Sequence, residues 1–102
     1  MSAVRITLTP QQLRQSATRY SSGANDIRGI LRVLDKEQLV IRDNWQGRAF
    51  VNYDLQFQSL RPKVNDFATL LDSIYSQLVS VANIVEQTDQ QIANQINTLG
   101  SQ

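Results

Sequence analysis

Apolar residues recur along this chain at alternating spacings of three and four, in two long runs. The first holds Leu13, Ala17, Tyr20, Ala24, Ile27, Leu31, Leu34, Ile41 and Trp45, with Gln38 the one polar residue in the series. The second holds Phe50, Tyr53, Phe57, Leu60, Val64, Phe67, Leu71, Ile74, Leu78, Val81, Val85 and Ile92, interrupted only by Thr88. A mean repeat of 3.5 residues sustained this long predicts two helices whose seams face each other. Trp45-Gln46-Gly47 separates the runs and marks the turn of a hairpin.

Local signals set the boundaries. Thr9 is a good N-cap, Pro10 suits the first helical position, and Gln12 completes a capping box. Helix 1 is therefore expected over about 10–44, the turn over 45–47, and helix 2 over about 48–93. Pro62 falls inside helix 2; the heptad keeps its phase across it, so it predicts a kink and not a break. Val4, Ile6 and Leu8 alternate with polar neighbours, so residues 1–8 read as extended. The stretch 94–102 is polar and contains Gly100, so it is expected to be a frayed tail. Gly23 and Gly29, inside helix 1, suggest close helix approach, since each costs about 0.5–1 kcal/mol against Ala.

Each helix carries more apolar surface than one partner helix can cover. Ile30, Val33 and Val40 widen the first stripe; Ala68, Tyr75 and Ala82 widen the second. Burying a Leu or Ile is worth about 1.5–3 kcal/mol, so self-association is the natural outcome. The expected fold is all-α: an antiparallel two-helix hairpin, one domain over 1–102, dimerising into a four-helix bundle. Its core and dimer seam is expected at Leu13, Tyr20, Ile27, Leu31, Leu34 and Ile41 on helix 1. On helix 2 it comprises Phe57, Leu60, Val64, Phe67, Leu71, Ile74 and Leu78.

Composition narrows the function. The 102 residues include no Cys and no His, so nucleophile–base pairs built on either, thiolate sites and the usual zinc sites are excluded. The acids are scattered, and there is no Gly-rich phosphate loop. No catalytic residue, cofactor or metal is assigned, and an enzyme is not expected. Net charge is +1, which argues against a nucleic-acid partner. Residues up to Gln46 carry seven basic and four acidic side chains, and the rest three and five. That asymmetry favours antiparallel pairing of the two helices, setting register more than stability. The N-terminus lacks a basic leader followed by an apolar run, so a cleavable signal peptide is not expected. No stretch approaches the ~20 apolar residues of a membrane span.

Several features then coincide: Leu8-Thr9-Pro10-Gln11-Gln12-Leu13-Arg14 at the first cap, Trp45-Gln46-Gly47 at the turn, Phe50 three residues on, and Asp89-Gln90-Gln91-Ile92-Ala93 near the end. In this setting the chain resembles the WXG100 family, the small ESAT-like substrates of bacterial type VII secretion, over about residues 5–96. Within the family it is most similar to the EsxA-like members of Gram-positive bacteria, which the resemblance implies are homodimeric. It implies secretion without a cleaved signal peptide and action by protein recognition, as substrate or as co-secreted, virulence-associated partner. The implied partners are a second copy, the secretion ATPase, and other WXG100 proteins or co-secreted toxins. The family's C-terminal Tyr-x-x-x-Asp/Glu export motif corresponds to Val85-Glu86-Gln87-Thr88-Asp89, where the acid matches and the Tyr does not. Trp45, Gly47 and Asp89, with Val85 weaker, are thus the implied export-recognition residues. The alternatives are a structural coiled-coil adaptor and a membrane-active helical protein; the modest charge and lack of a Lys-rich face rank membrane contact low.

Overall fold

The computed structural model describes residues 7–45 and 47–100. The extended reading of residues 1–8 therefore lies, through Ile6, outside the described residues, as do Gln46 and residues 101–102. Two helices account for the fold: α1 (Pro10–Asn44) and α2 (Arg48–Gly100). They lie side by side in a rod of 84 × 29 × 15 Å.

The start of α1 follows from its capping chemistry. The Gln12 amide donates to Thr9 Oγ1 at 3.1 Å, and the Thr9 amide donates to Gln12 Oε1 at 2.9 Å. Both bonds satisfy amides that the first turn leaves without an intrahelical partner. At the other end the Trp45 amide still donates to Ile41 O at 2.8 Å, while Trp45 itself has turned to an extended backbone. Arg42 in this last turn opposes the negative end of the helix dipole.

Packing between the helices is organised by small side chains. On α1 the buried residues Ala17, Ala24, Leu31 and Gln38 fall seven apart, with Leu13 beside them. On α2 only Ala68 and Ala82 are fully withdrawn among the described residues. Alanines at the line of contact bring the two helices close, and larger side chains pack on either side of them. The position of the α2 seam therefore differs from the sequence expectation. Ala68 and Ala82, read there as a widening of the stripe, are its centre. Phe57, Val64, Leu71, Ile74 and Leu78 are half-buried, as are Ile27 and Ile41. Tyr20, Leu34, Leu60 and Phe67 remain exposed, the last two at 54% and 55%.

The two flanks of the contact line differ. Arg14, Arg28 and Asp35 each precede a buried α1 residue by three positions; Tyr20, Ile27 and Leu34 precede one by four. At 3.6 residues per turn these offsets rotate to opposite sides. The first flank carries a polar ladder across to α2. Arg14 binds Asn83 and Glu86, Arg28 binds Asp72, and Arg61 grips Asp35 with both Nε and Nη2 at 2.9 Å. The second flank is an open apolar groove of about 170 Å³ lined by Ile27, Ile30, Leu31, Leu34, Phe57, Leu60 and Val64, with Arg61 at its edge.

Three further sequence expectations change. α2 does not end in the low nineties: it runs to Gly100, because Ile92, Ile96 and Leu99 extend its three–four spacing beyond the expected stop. Gly23 and Gly29 do not mark forced contact. A Cβ at Gly23 would meet Leu71 Cδ1 at 3.7 Å, and one at Gly29 only the tip of Arg32 at 3.8 Å, both ordinary separations. Finally, α2 contains an 18-residue window of mean hydropathy 1.2, long and apolar enough by composition to cross a membrane. Its apolar residues form a helical stripe, yet only 11% of that window is buried within the hairpin.

Candidate recognition site at the hairpin turn

The turn is built by one glycine and three aromatic rings. Gly47 has φ +133°, a conformation that side chains with a Cβ disfavour. Space is not the constraint, since no atom lies within 4 Å of a Cβ built there. The reversal brings the start of α2 back against the end of α1. The Trp45 ring then meets Phe50 edge-on, with centroids 5.9 Å apart, and Tyr53 at 5.8 Å. Phe50 and Tyr53 also touch, at 6.4 Å. Such clusters are worth about 0.5–1.5 kcal/mol per pair beyond buried area. Trp45 nevertheless stays 40% exposed and Tyr53 37%. The tip thus presents a fixed, half-exposed indole held by its neighbours. Phe50 belongs to the family resemblance by sequence; Tyr53 joins the cluster because it stands one helical turn further on.

Beside the aromatic cluster lies a mixed cleft of about 370 Å³. Asp35, Gln38, Arg42, Phe50, Asp54 and Arg61 line it. Gln38, the polar exception in the first seam, is 6% exposed and donates Nε2 to Asp54 Oδ1 at 2.9 Å. Its Oε1 is buried without a partner among the described residues. A hydrogen bond from Arg61 holds the Asp35 carboxyl below its ordinary value, partly opposed by desolvation, and the Arg61 guanidinium is correspondingly raised. Among the described residues no group of three or more Asp, Glu, His or Cys side chains is placed to hold a metal.

The other export candidates lie far from the tip. Val85 is half-buried and Asp89 exposed. They stand one turn apart on the same side of α2. From Arg48 to Asp89 the helix rises about 60 Å, so a single chain keeps Trp45 and Asp89 at opposite ends of the rod. The arrangement leaves Trp45 and Asp89 exposed, and among the described residues it brings together no convergent acid–base or nucleophilic set.

Comparison with known proteins agrees with this picture. The family model described as "WXG100: Proteins of 100 residues with WXG" matches residues 5–90. An ESAT-6-like protein of Streptococcus agalactiae serotype V is 46% identical over 93 residues, covering 91% of this chain and 97% of its own. The type VII secretion system extracellular protein A of Staphylococcus aureus is 43% identical over 89 residues, covering 87% and 92%. Among solved structures, Geobacillus thermodenitrificans EsxA superposes with a TM-score of 0.81 at 35% identity, covering 87% of this chain and 99% of that one. A mutant of the secreted protein EsxB from Bacillus anthracis gives 0.74 at 19% identity, over 86% and 97%, a likeness of fold alone.

Proposed function

Because the chain belongs to the WXG100 family, we propose that it is exported by a type VII secretion system and acts there by protein recognition, as substrate or co-secreted partner. The observation that carries the reading is the half-exposed Trp45 held over Gly47 by Phe50 and Tyr53, in a chain similar along most of its length to an extracellular type VII protein. An aromatic anchor at a fixed turn is the kind of group that binding partners use. The secretion ATPase is the partner proposed for it.

The open flank supports a homodimer. Tyr20, Ile30, Leu34, Leu60, Phe67 and Val81 are large, exposed and on this side. A second hairpin laid antiparallel against them completes a four-helix bundle. It also carries the Val85–Asp89 end of one copy toward the turn of the other, so that one recognition surface draws on both chains.

The test pairs export with folding. Trp45→Ala and Asp89→Ala should each lower the amount of protein in the medium, with cellular levels maintained. Helicity by circular dichroism should stay near that of the parent, and light scattering should give about twice the 11.6 kDa chain mass. Normal export of folded Trp45→Ala would remove the recognition role. Loss of export together with unfolding would reduce Trp45 to a plug at the end of the bundle, and a monomer in the parent would remove the dimer.

A further inference from the structure

The polar ladder on the first flank stops short of the tip. Its last rung is Asp35–Arg61, and Trp45 lies ten residues further along α1, a rise of about 15 Å. Over that length the same flank turns apolar. Leu39 stands one turn beyond Asp35; Val51 precedes the rung residue Asp72 by three heptads, and Leu55 precedes Asn83 by four. They are exposed at 49%, 56% and 62%. The homodimer proposed above lies on the opposite flank, so it leaves all three in water.

Beside these side chains opens the mixed cleft of about 370 Å³, with Leu39 and Phe50 among its walls. Its charges balance, Asp35 and Asp54 against Arg42 and Arg61. Arg61 is taken by Asp35, and Arg42 has the neighbouring Asp43 carboxylate at 3.5 Å. What goes unanswered is an acceptor. Gln38 lines the cleft and is 6% exposed. Its Nε2 is spent on Asp54 Oδ1, while its Oε1 is buried with no partner among the described residues. A buried acceptor without a donor is costly. Every other buried residue of the α1 line is apolar, and a Leu at 38 would carry no such cost. The amide makes sense as a group whose donor arrives from outside. The terminal torsion of a Gln side chain is soft, so Oε1 can rotate toward a group that enters the cleft. A charged occupant gains little where two acids face two bases; an uncharged N–H or O–H meets the need.

We propose that the recognition surface of the tip extends from Trp45 onto this flank, where a segment of a partner protein lays an apolar side chain on Leu39 and Val51 and places one uncharged donor, an amide or a hydroxyl, against Gln38. This surface deepens the export reading and rests on it: the tip is read from the flank that the second hairpin leaves free.

The test compares export of the parent and three variants by producing cells, with helicity, melting temperature and dimer mass measured on each purified protein. Gln38→Leu removes the acceptor. It should leave the melting temperature unchanged or raised, yet lower the protein in the medium at least fivefold; loss of a purely structural amide would lower the melting temperature instead. Val51→Glu puts a charge on the apolar rim. As an acid near the start of α2 it should not weaken the helix, and it should lower export by a similar factor. Ser76→Glu puts the same charge on the same flank, three heptads beyond Leu55, and should export normally. Normal export of folded Gln38→Leu or folded Val51→Glu would overturn the proposal. An equal loss from Ser76→Glu would make the effect one of charge on the flank and overturn it too. Loss of helicity or dimer mass in both test variants would make the patch part of the bundle, with the same result. A parent that is not exported would remove the type VII reading itself, and the site with it.

Discussion

Replacing Leu31 by Ala tests the packing most directly. Leu31 is 5% exposed, in the buried line of α1, and borders the apolar groove beside Phe57 and Val64. The substitution removes three carbons; at about 0.8 kcal/mol each, the lost transfer free energy is ~2.4 kcal/mol. A residual cavity adds to this, within an overall range of about 2–5 kcal/mol. The groove already opens to solvent on one side, so the site can relax and the lower half of that range is expected, about 2–3.5 kcal/mol. Leu71, by contrast, is half-buried, so Leu71→Ala should cost roughly half as much. Against a stability of about 5–15 kcal/mol for a chain of this size, the first change is severe and the second tolerable. Urea denaturation followed by circular dichroism, at two protein concentrations to separate folding from association, measures both. A loss below about 1 kcal/mol for Leu31→Ala, or a larger loss for Leu71→Ala, would refute the assignment of Leu31 to the line of contact.

Two further outcomes follow from particular contacts. Gly29→Ala should stabilise the chain by about 0.5–1 kcal/mol, because the added Cβ meets only the movable end of Arg32; a lower melting temperature would refute the open setting of this glycine. Asp35 has a folded-state value lowered chiefly by its hydrogen bond from Arg61. Its contribution should be fully present above the ordinary carboxylate value and disappear as pH falls through the lowered one. The melting temperatures of the parent and Asp35→Asn should therefore converge as pH falls through that lowered value, and a gap that stays constant throughout an acid titration from neutral pH would exclude the pair as its cause.

Much of the hairpin is legible in the sequence because its determinants are local or periodic. Thr9, Pro10 and Gln12 state the start of α1 through bonds that reach only three residues. Gly47 states the reversal through its own backbone. The two heptad runs state which faces are apolar. They do not state which of two adjacent apolar columns meets the other helix, and on α2 the alanine column at 68 and 82 occupies the centre. That choice depends on how closely the helices approach, a property of the pair and not of either helix. The end of α2 was hidden for a related reason: Asn94, Gln95 and Asn97 look like a tail, while Ile92, Ile96 and Leu99 keep the helical period beneath them. Gln38 stood out as a polar exception, but its partner Asp54 comes from the opposite helix and had no signal of its own.

The unequal flanks connect this packing to the proposed activity. A hairpin with apolar side chains on both sides of its contact line could associate through either and would not fix its partner's orientation. Here the flank occupied by Arg14, Arg28, Asp35 and their partners is unsuited to apolar docking, since covering these charges would remove them from water. The pairs are half-exposed and supply little stability individually; their effect over the length of the ladder is to leave only the other flank apolar, the one on which the proposed second hairpin would lie. With the buried line of α1 running from Leu13 to Gln38, the fold does not depend on the single turn at its tip. Trp45 can then remain partly in water, fixed by Phe50 and Tyr53, at a place where its loss should weaken recognition before it weakens the bundle.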